Sequence, residues 1–174
     1  MNTERKKAIL EAPKPETKKQ IMSFLGLCNY CRQWVPNYAE LVRPMHDMIF
    51  SQPMAPHDKV TWTKEGSESF QATKEKIASS TVLALPNYAK PFVLMVDSRH
   101  RFMTSVLLRV WGIKMRPIAF YSTQLDPVAR ATPSCVQAVL ADASAVHASA
   151  EIVLVHELVV KVSHAVLMLL LPSI

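Results

Sequence analysis

The chain has 174 residues, with 20 lysines and arginines against 14 aspartates and glutamates, and only three glycines. That length holds one medium domain or two small ones with a real apolar core, and so few glycines leave no Gly-rich phosphate loop or dinucleotide fingerprint. The net charge of +6 and a pI near 9.3 permit a polyanionic partner without requiring one.

Residues 1–15 are polar and basic and hold Pro13 and Pro15, which predicts a linker or the remnant of an upstream element. Glu16 or Thr17 then opens a first helix that runs to about Val35 and stops before Pro36. Ile21, Phe24, Leu25, Cys28, Cys31 and Val35 line one face of it at three- and four-residue spacing. The other face carries Met22, Gly26, Asn29, Tyr30 and Gln33. A glycine inside a helix costs about 1 kcal/mol against alanine, so Gly26 asks for a packing or functional reason. Asn37 caps a second helix, Tyr38 to Phe50, which Pro44 should bend. The two helices form a hairpin over residues 16–52.

A proline-rich loop leads to a third helix with Thr63 as N-cap and Phe70, Thr73 and Ile77 facing inward. The period then changes. Phe92–Asp97, Ser105–Val110 and Pro117–Ser122 are short apolar runs that predict an antiparallel meander. A helix from Pro133 to about Ala150, a fourth strand from Leu158 to Val162 and a last helix from His164 to Leu171 complete an α+β order. The run Ala165 to Leu171 is far shorter than the roughly 20 residues that span a bilayer, so no membrane partner is predicted. Three cysteines behind a charged N-terminus without an apolar core predict an intracellular, reducing compartment, cytoplasmic or nuclear.

Several strings in this order resemble the retroviral reverse transcriptase family, in its gammaretrovirus-like and endogenous retroviral branch. They are Ser23-Phe24-Leu25-Gly26 through Tyr30-Cys31-Arg32-Gln33-Trp34-Val35-Pro36, then Leu83-Ala84-Leu85-Pro86-Asn87-Tyr88. Lys90-Pro91-Phe92-Val93-Leu94 with Val96-Asp97 follows, and Arg116 to Ser122 with Leu125-Asp126-Pro127-Val128-Ala129. The resemblance implies a thumb over residues 16–52. It further implies a ribonuclease-H-like connection domain over 60–174, truncated at its C-terminus, with a mostly antiparallel sheet of three to four strands. A palm and fingers and a true ribonuclease H domain would lie outside this stretch.

Polymerase and nuclease of that family use clustered carboxylates to hold two Mg²⁺ ions about 4 Å apart. Asp97 stands where the ribonuclease-H-like family places its first aspartate, but Asp142 lies too far along its helix and Cys135-Val136-Gln137 replaces the expected glutamate region. The expectation is therefore a chain with no catalytic residues and no cofactor of its own, Asp97 being vestigial. Cys28-x-x-Cys31 lacks the four ligands of a structural zinc site, so both read as small buried thiols.

In the family a thumb helix follows the minor groove of the template–primer duplex, with a glycine for close approach and an aromatic one turn later. Gly26 and Tyr30 resemble that pair, Met22 replaces the usual polar residue one turn earlier, and Lys18, Lys19 and Arg32 are placed to meet phosphates. The function expected is support of RNA–DNA or DNA duplex binding within a pol polyprotein reverse transcriptase. Three alternatives stand beside it. They are a domesticated module that self-associates or binds a polymerase through exposed apolar surface, a degenerate ribonuclease H, and an unstable pseudogene product.

Overall fold

The structure is a computed structural model that describes residues 3–80 and 82–162. The chain divides into two compact units, Met1–Thr81 and Val82–Ile174.

The first unit is helical. Residues 1–15, expected as a linker or the remnant of an upstream element, hold a helix, α1 (Thr3–Glu11), whose Ile9 is completely buried. The proline argument applies only from Pro13 onward, and the nine residues before it are free to coil. The next helix, α2 (Lys18–Asn29), starts from a capping box. Thr17 accepts from the Gln20 amide, and the Gln20 side chain accepts from the Thr17 amide. The amides of Lys18 and Lys19, which have no partner within the helix, donate to the carbonyls of Asp58 and Pro56 in the loop that follows the next α-helix.

The helix ends at Asn29 rather than near Val35, and a 3₁₀ turn over Arg32–Trp34 carries the chain onward. The apolar spacing does not reveal this break, because Cys28 and Cys31 are three apart and the 3₁₀ turn has three residues per turn. Their bonds follow suit, Cys31 N–H to Cys28 O at 2.8 Å and Trp34 N–H to Cys31 O at 3.0 Å.

The third helix, α3 (Tyr38–Phe50), has the expected bounds. Asn37 precedes it in the left-handed region (φ 56°) with no side-chain cap bond, so it serves as a backbone corner rather than a cap. Thr63 does cap α4 (Lys64–Ala78), accepting from the Gly66 amide at 3.0 Å. A methyl group on Gly66 would overlap Met48 Sδ and stand 3.1 Å from Thr63 Oγ1. Gly66 thus leaves room for the Met48 side chain of α3 at the start of α4. Ile9, Ile21, Phe24, Met45, Phe70 and Ile77 meet in one core, so α4 packs with the helices and the boundary between units falls at Thr81/Val82.

The second unit is a four-stranded mixed sheet with helices, an α+β fold. Its strands are β1 (Phe92–Arg99), β2 (Phe102–Trp111), β3 (Lys114–Gln124) and β4 (Leu158–Lys161), in the order β3-β2-β1-β4. The pairs β1–β2 and β2–β3 are antiparallel, whereas β4 runs parallel to β1, with Phe92 opposite Leu158. Parallel pairing requires a crossover, which α5 (Pro127–Ala131) and α6 (Ser134–Val153) provide. The small residues Ala141 and Ala145 of α6 belong to the core formed by Phe92, Leu94, Leu107 and Ala119. The β2–β3 register slips between Leu107 and Leu108, opposite Pro117, which has no amide to give to the ladder. The helix expected over His164 to Leu171 lies outside the described residues. Among the described residues no helix is long and apolar enough to cross a membrane.

Candidate nucleic-acid interface

Helical geometry decides which residues of α2 share a face. Lys19, Met22, Gly26 and Tyr30 recur at three- and four-residue steps, and all four are exposed, Met22 at 47% and Tyr30 at 56%. Nothing lies within 4 Å of a methyl group built on Gly26. No packing among the described residues therefore accounts for this glycine, which leaves an open, shallow strip along the helix.

Tyr30 is held at the end of that strip by two neighbours. The guanidinium carbon of Arg5, from α1, lies 3.9 Å from its ring centre, and the Trp34 ring stacks at 6.4 Å with planes 27° apart. Sequence alone does not single out Arg5. Its one signal is a place in the basic segment before Pro13, and its approach to Tyr30 depends on a helix that the composition of that segment does not predict.

The other expected phosphate contacts do not gather on this face. Lys18 donates its ammonium to the Met54 carbonyl at 2.9 Å and lies 5.2 Å from the Phe50 ring, so it ties the helix start to the following loop. Arg32 is exposed but belongs to the 3₁₀ turn beyond the end of α2. Its charge is felt at Tyr38. Burial, then Cys28 and Cys31, push that hydroxyl above its ordinary pKa, and Arg32 opposes the shift.

The carboxylates are dispersed. Asp97 does not close β1, which continues to Arg99, and its Oδ2 is paired with Arg99 Nε at 2.6 Å in an exposed position. Asp142 sits on α6 with a buried Oδ2 that has no hydrogen-bond partner among the described residues, and burial raises its pKa. Among the described residues no three His, Cys, Asp or Glu side chains converge on a point where a metal ion could be held.

Cys28 and Cys31 are both fully buried free thiols in the helical core. Burial, reinforced by Cys31, pushes the Cys28 thiol up to about 12, so the reactive thiolate is suppressed. A maleimide at pH 8 is expected to label Cys135, which is only partly buried, and to reach Cys28 and Cys31 only after the helical unit is unfolded in urea. Labelling of all three at equal rates in the folded chain, counted by mass spectrometry, would contradict the buried placement.

Comparison with known proteins places this geometry. The family model of the RNase H-like domain found in reverse transcriptase matches residues 62–160. The Gag-Pol polyprotein of avian reticuloendotheliosis virus is 37% identical over 143 residues, 82% of this chain and 12% of that polyprotein. That of feline leukemia virus is 36% identical over 162 residues, 93% of this chain and 9% of the polyprotein. The chain thus spans about a tenth of the length of these curated relatives. Among solved structures, a foamy viral protease–reverse transcriptase in complex with double-stranded DNA superposes with a TM-score of 0.82 at 19% identity. That likeness covers 99% of this chain and 30% of the other. A foamy viral protease–reverse transcriptase in complex with an RNA/DNA hybrid gives 0.76 at 21% identity, over 92% and 21% of the two chains. At such identities the likeness speaks for the fold. The matched model begins at residue 62 and so takes in α4, although α4 packs with the helices before it. With more than half of its residues matched, the chain belongs to the family of the RNase H-like domain found in reverse transcriptase, and corresponds to a segment of retroviral Pol.

Proposed function

We propose that the chain acts as a thumb-and-connection segment of a retroelement reverse transcriptase, holding template–primer duplex along the exposed face of α2 without catalysing a reaction itself. The observation that carries the reading is Gly26. It costs its helix about 1 kcal/mol, and none of the described residues occupies the space it leaves. An external backbone or sugar edge could use that space. Tyr30, with Arg5 and Trp34 beside it and about half its surface exposed, offers an apolar edge and a nearby charge at the next turn. Lys19 and Arg5 are the exposed cations on this side and would meet phosphates. The foamy viral relatives in complex with double-stranded DNA and with an RNA/DNA hybrid make duplex the ligand to test first.

The absence of catalysis is argued from the carboxylates. The family's two-metal chemistry needs several acids around one point, and the described residues do not fit it. Asp97 is exposed and paired with Arg99, and Asp142 stands on a separate element.

The test is a titration of labelled RNA–DNA duplex against the chain at rising salt. Binding at low salt that weakens as salt rises is expected. Gly26→Glu combined with Tyr30→Ala should weaken it about tenfold or more, a loss of about 1.4 kcal/mol. Gly26→Ala separates binding from folding, because it should stabilise α2 by about 1 kcal/mol while filling the strip. No binding at low salt, or affinity indifferent to these changes, would refute the proposal.

A further inference from the structure

The hairpin joining β2 to β3 carries a second basic surface that the α2 face does not include. In its ladder Arg109 is directly opposite Arg116, and Trp111 opposite Lys114. Residues two apart on a strand share a face, so all four side chains stand together at the far end of the hairpin. Both guanidiniums lie over the same indole, Arg109 at 4.6 Å and Arg116 at 5.0 Å from the Trp111 ring centre. Trp111 is half exposed, and Lys114 and Arg116 are exposed.

Two like charges directly across a ladder repel each other, and a carboxylate is the usual remedy. None is near in sequence. Between Asp97 and Asp126 the chain has five arginines or lysines and no acid. The indole offsets part of the repulsion by cation–π attraction. It also fixes the forks in place, as does the bond from Arg109 Nη1 to the Leu85 carbonyl at 2.7 Å. The Nε of Arg109 is buried and unpartnered among the described residues. Two pre-positioned guanidiniums with an ammonium beside them and no acid nearby in sequence form a site for an oxyanion, which planar forks grip through paired hydrogen bonds.

We propose that Lys114 and Arg116, held beside Arg109 on Trp111, bind the phosphodiester backbone of a nucleic-acid strand. The proposal rests on the reading of the chain as a duplex binder, and adds a sequence-independent contact in the second unit. Arg116 and Lys114 supply the phosphate contacts, and Trp111 is a positioning residue that holds the guanidiniums.

The experiment is the salt titration of the full chain with an RNA–DNA duplex, comparing Arg116→Gln with Lys114→Gln, Trp111→Ala, and Gly26→Glu. The Arg116→Gln/Lys114→Gln double variant should flatten the slope of log affinity against log salt by about 0.9 for each phosphate that it no longer neutralises, and by the same amount on duplexes of different sequence. Trp111→Ala keeps every charge, so it should lower affinity by loosening the guanidiniums while leaving most of the slope intact. An unchanged slope in the double variant while Gly26→Glu weakens binding would overturn this site alone. A flattened slope with Gly26→Glu silent would support this site and overturn the α2 face instead. No binding by the unmodified chain would overturn both. Excess inorganic phosphate separates the two sources of the same oxyanion. The site predicts weak competition from it, and full displacement of the duplex at millimolar phosphate would show a site for small anions only.

Discussion

Replacing Phe92 with alanine is expected to destabilise the sheet unit by about 3–5 kcal/mol, the usual range for truncating a buried aromatic. Phe92 has no exposed surface and is the largest of the fully buried side chains. It lies in β1, which pairs with β2 on one side and β4 on the other, so its cavity would open at the centre of the sheet. It faces the core shared with Leu94, Leu107 and the small residues of α6, and its ring meets Tyr88 edge-on at 5.6 Å. Its amide, which donates to the Glu157 carbonyl at 2.9 Å, remains in the variant, so the loss measures packing rather than hydrogen bonding. A small domain has only about 5–15 kcal/mol of stability, so such a loss should greatly enlarge the unfolded population of this unit. Hydrogen exchange read on the β2 amides reports the opening of this unit separately from the helices. A loss below about 1 kcal/mol would mean that the site collapses around the truncation and that β1 is not the anchor of the sheet.

The same strand shows how far sequence alone reaches. The apolar runs at 92–97, 105–110 and 117–122 are visible because a strand buried on one face needs them. The ends of the strands are less so: Arg99, Lys114 and Arg116 sit on exposed hairpin extensions, and the buried Phe102 and Met103 that start β2 are separated from the apolar run at 105–110 by Thr104. The direction of β4 is also hidden. Four residues reading Leu-Val-Val-Lys fit either orientation, and only the α6 crossover fixes them parallel to β1.

At the candidate interface the exposed track of Met22, Gly26 and Tyr30 is legible from the 3.6-residue period. The separation of Lys18 and Arg32 from it is not. Lys18 is drawn away by a carbonyl 36 residues along the chain, and Arg32 by a change of helix type that a three-residue spacing conceals. The two glycines of the helical unit also exchange roles. Gly26, mid-helix, is where a packing glycine would be sought, yet it faces open space. Gly66, inconspicuous at a helix start, is the one with a side chain packed over it, that of Met48 in α3.

Ile9→Ala is expected to cost the helical unit about 2–5 kcal/mol, although it lies in a segment whose composition suggests a tether. Ile9 is fully buried in the core with Ile21, Phe24, Phe70 and Ile77. The prolines that follow do not release α1 from that core. A proline loses its amide but keeps its carbonyl, and it is carbonyls that this segment uses. The Pro15 carbonyl accepts from Trp62 Nε1 at 2.7 Å, and the Ala12 carbonyl accepts from the Lys74 ammonium. Lys14 adds a bond from its ammonium to Ser67 Oγ at 3.0 Å. The two ends of this segment are thus constrained differently, with Ile9 in the core and the Pro-rich exit bound to α4 and the residues just before it. Urea unfolding followed by Trp34 and Trp62 fluorescence reads the effect, since both indoles are partly buried against this core. Leu10→Ala is the control, because Leu10 is 40% exposed and its truncation should change stability by only about 0.5 kcal/mol. Equal, small effects from both substitutions would mean that residues 3–11 are a tether after all. A large effect from Ile9 alone would make α1 part of the folded unit, and Arg5, which α1 carries to Tyr30, a fixed feature of the candidate interface.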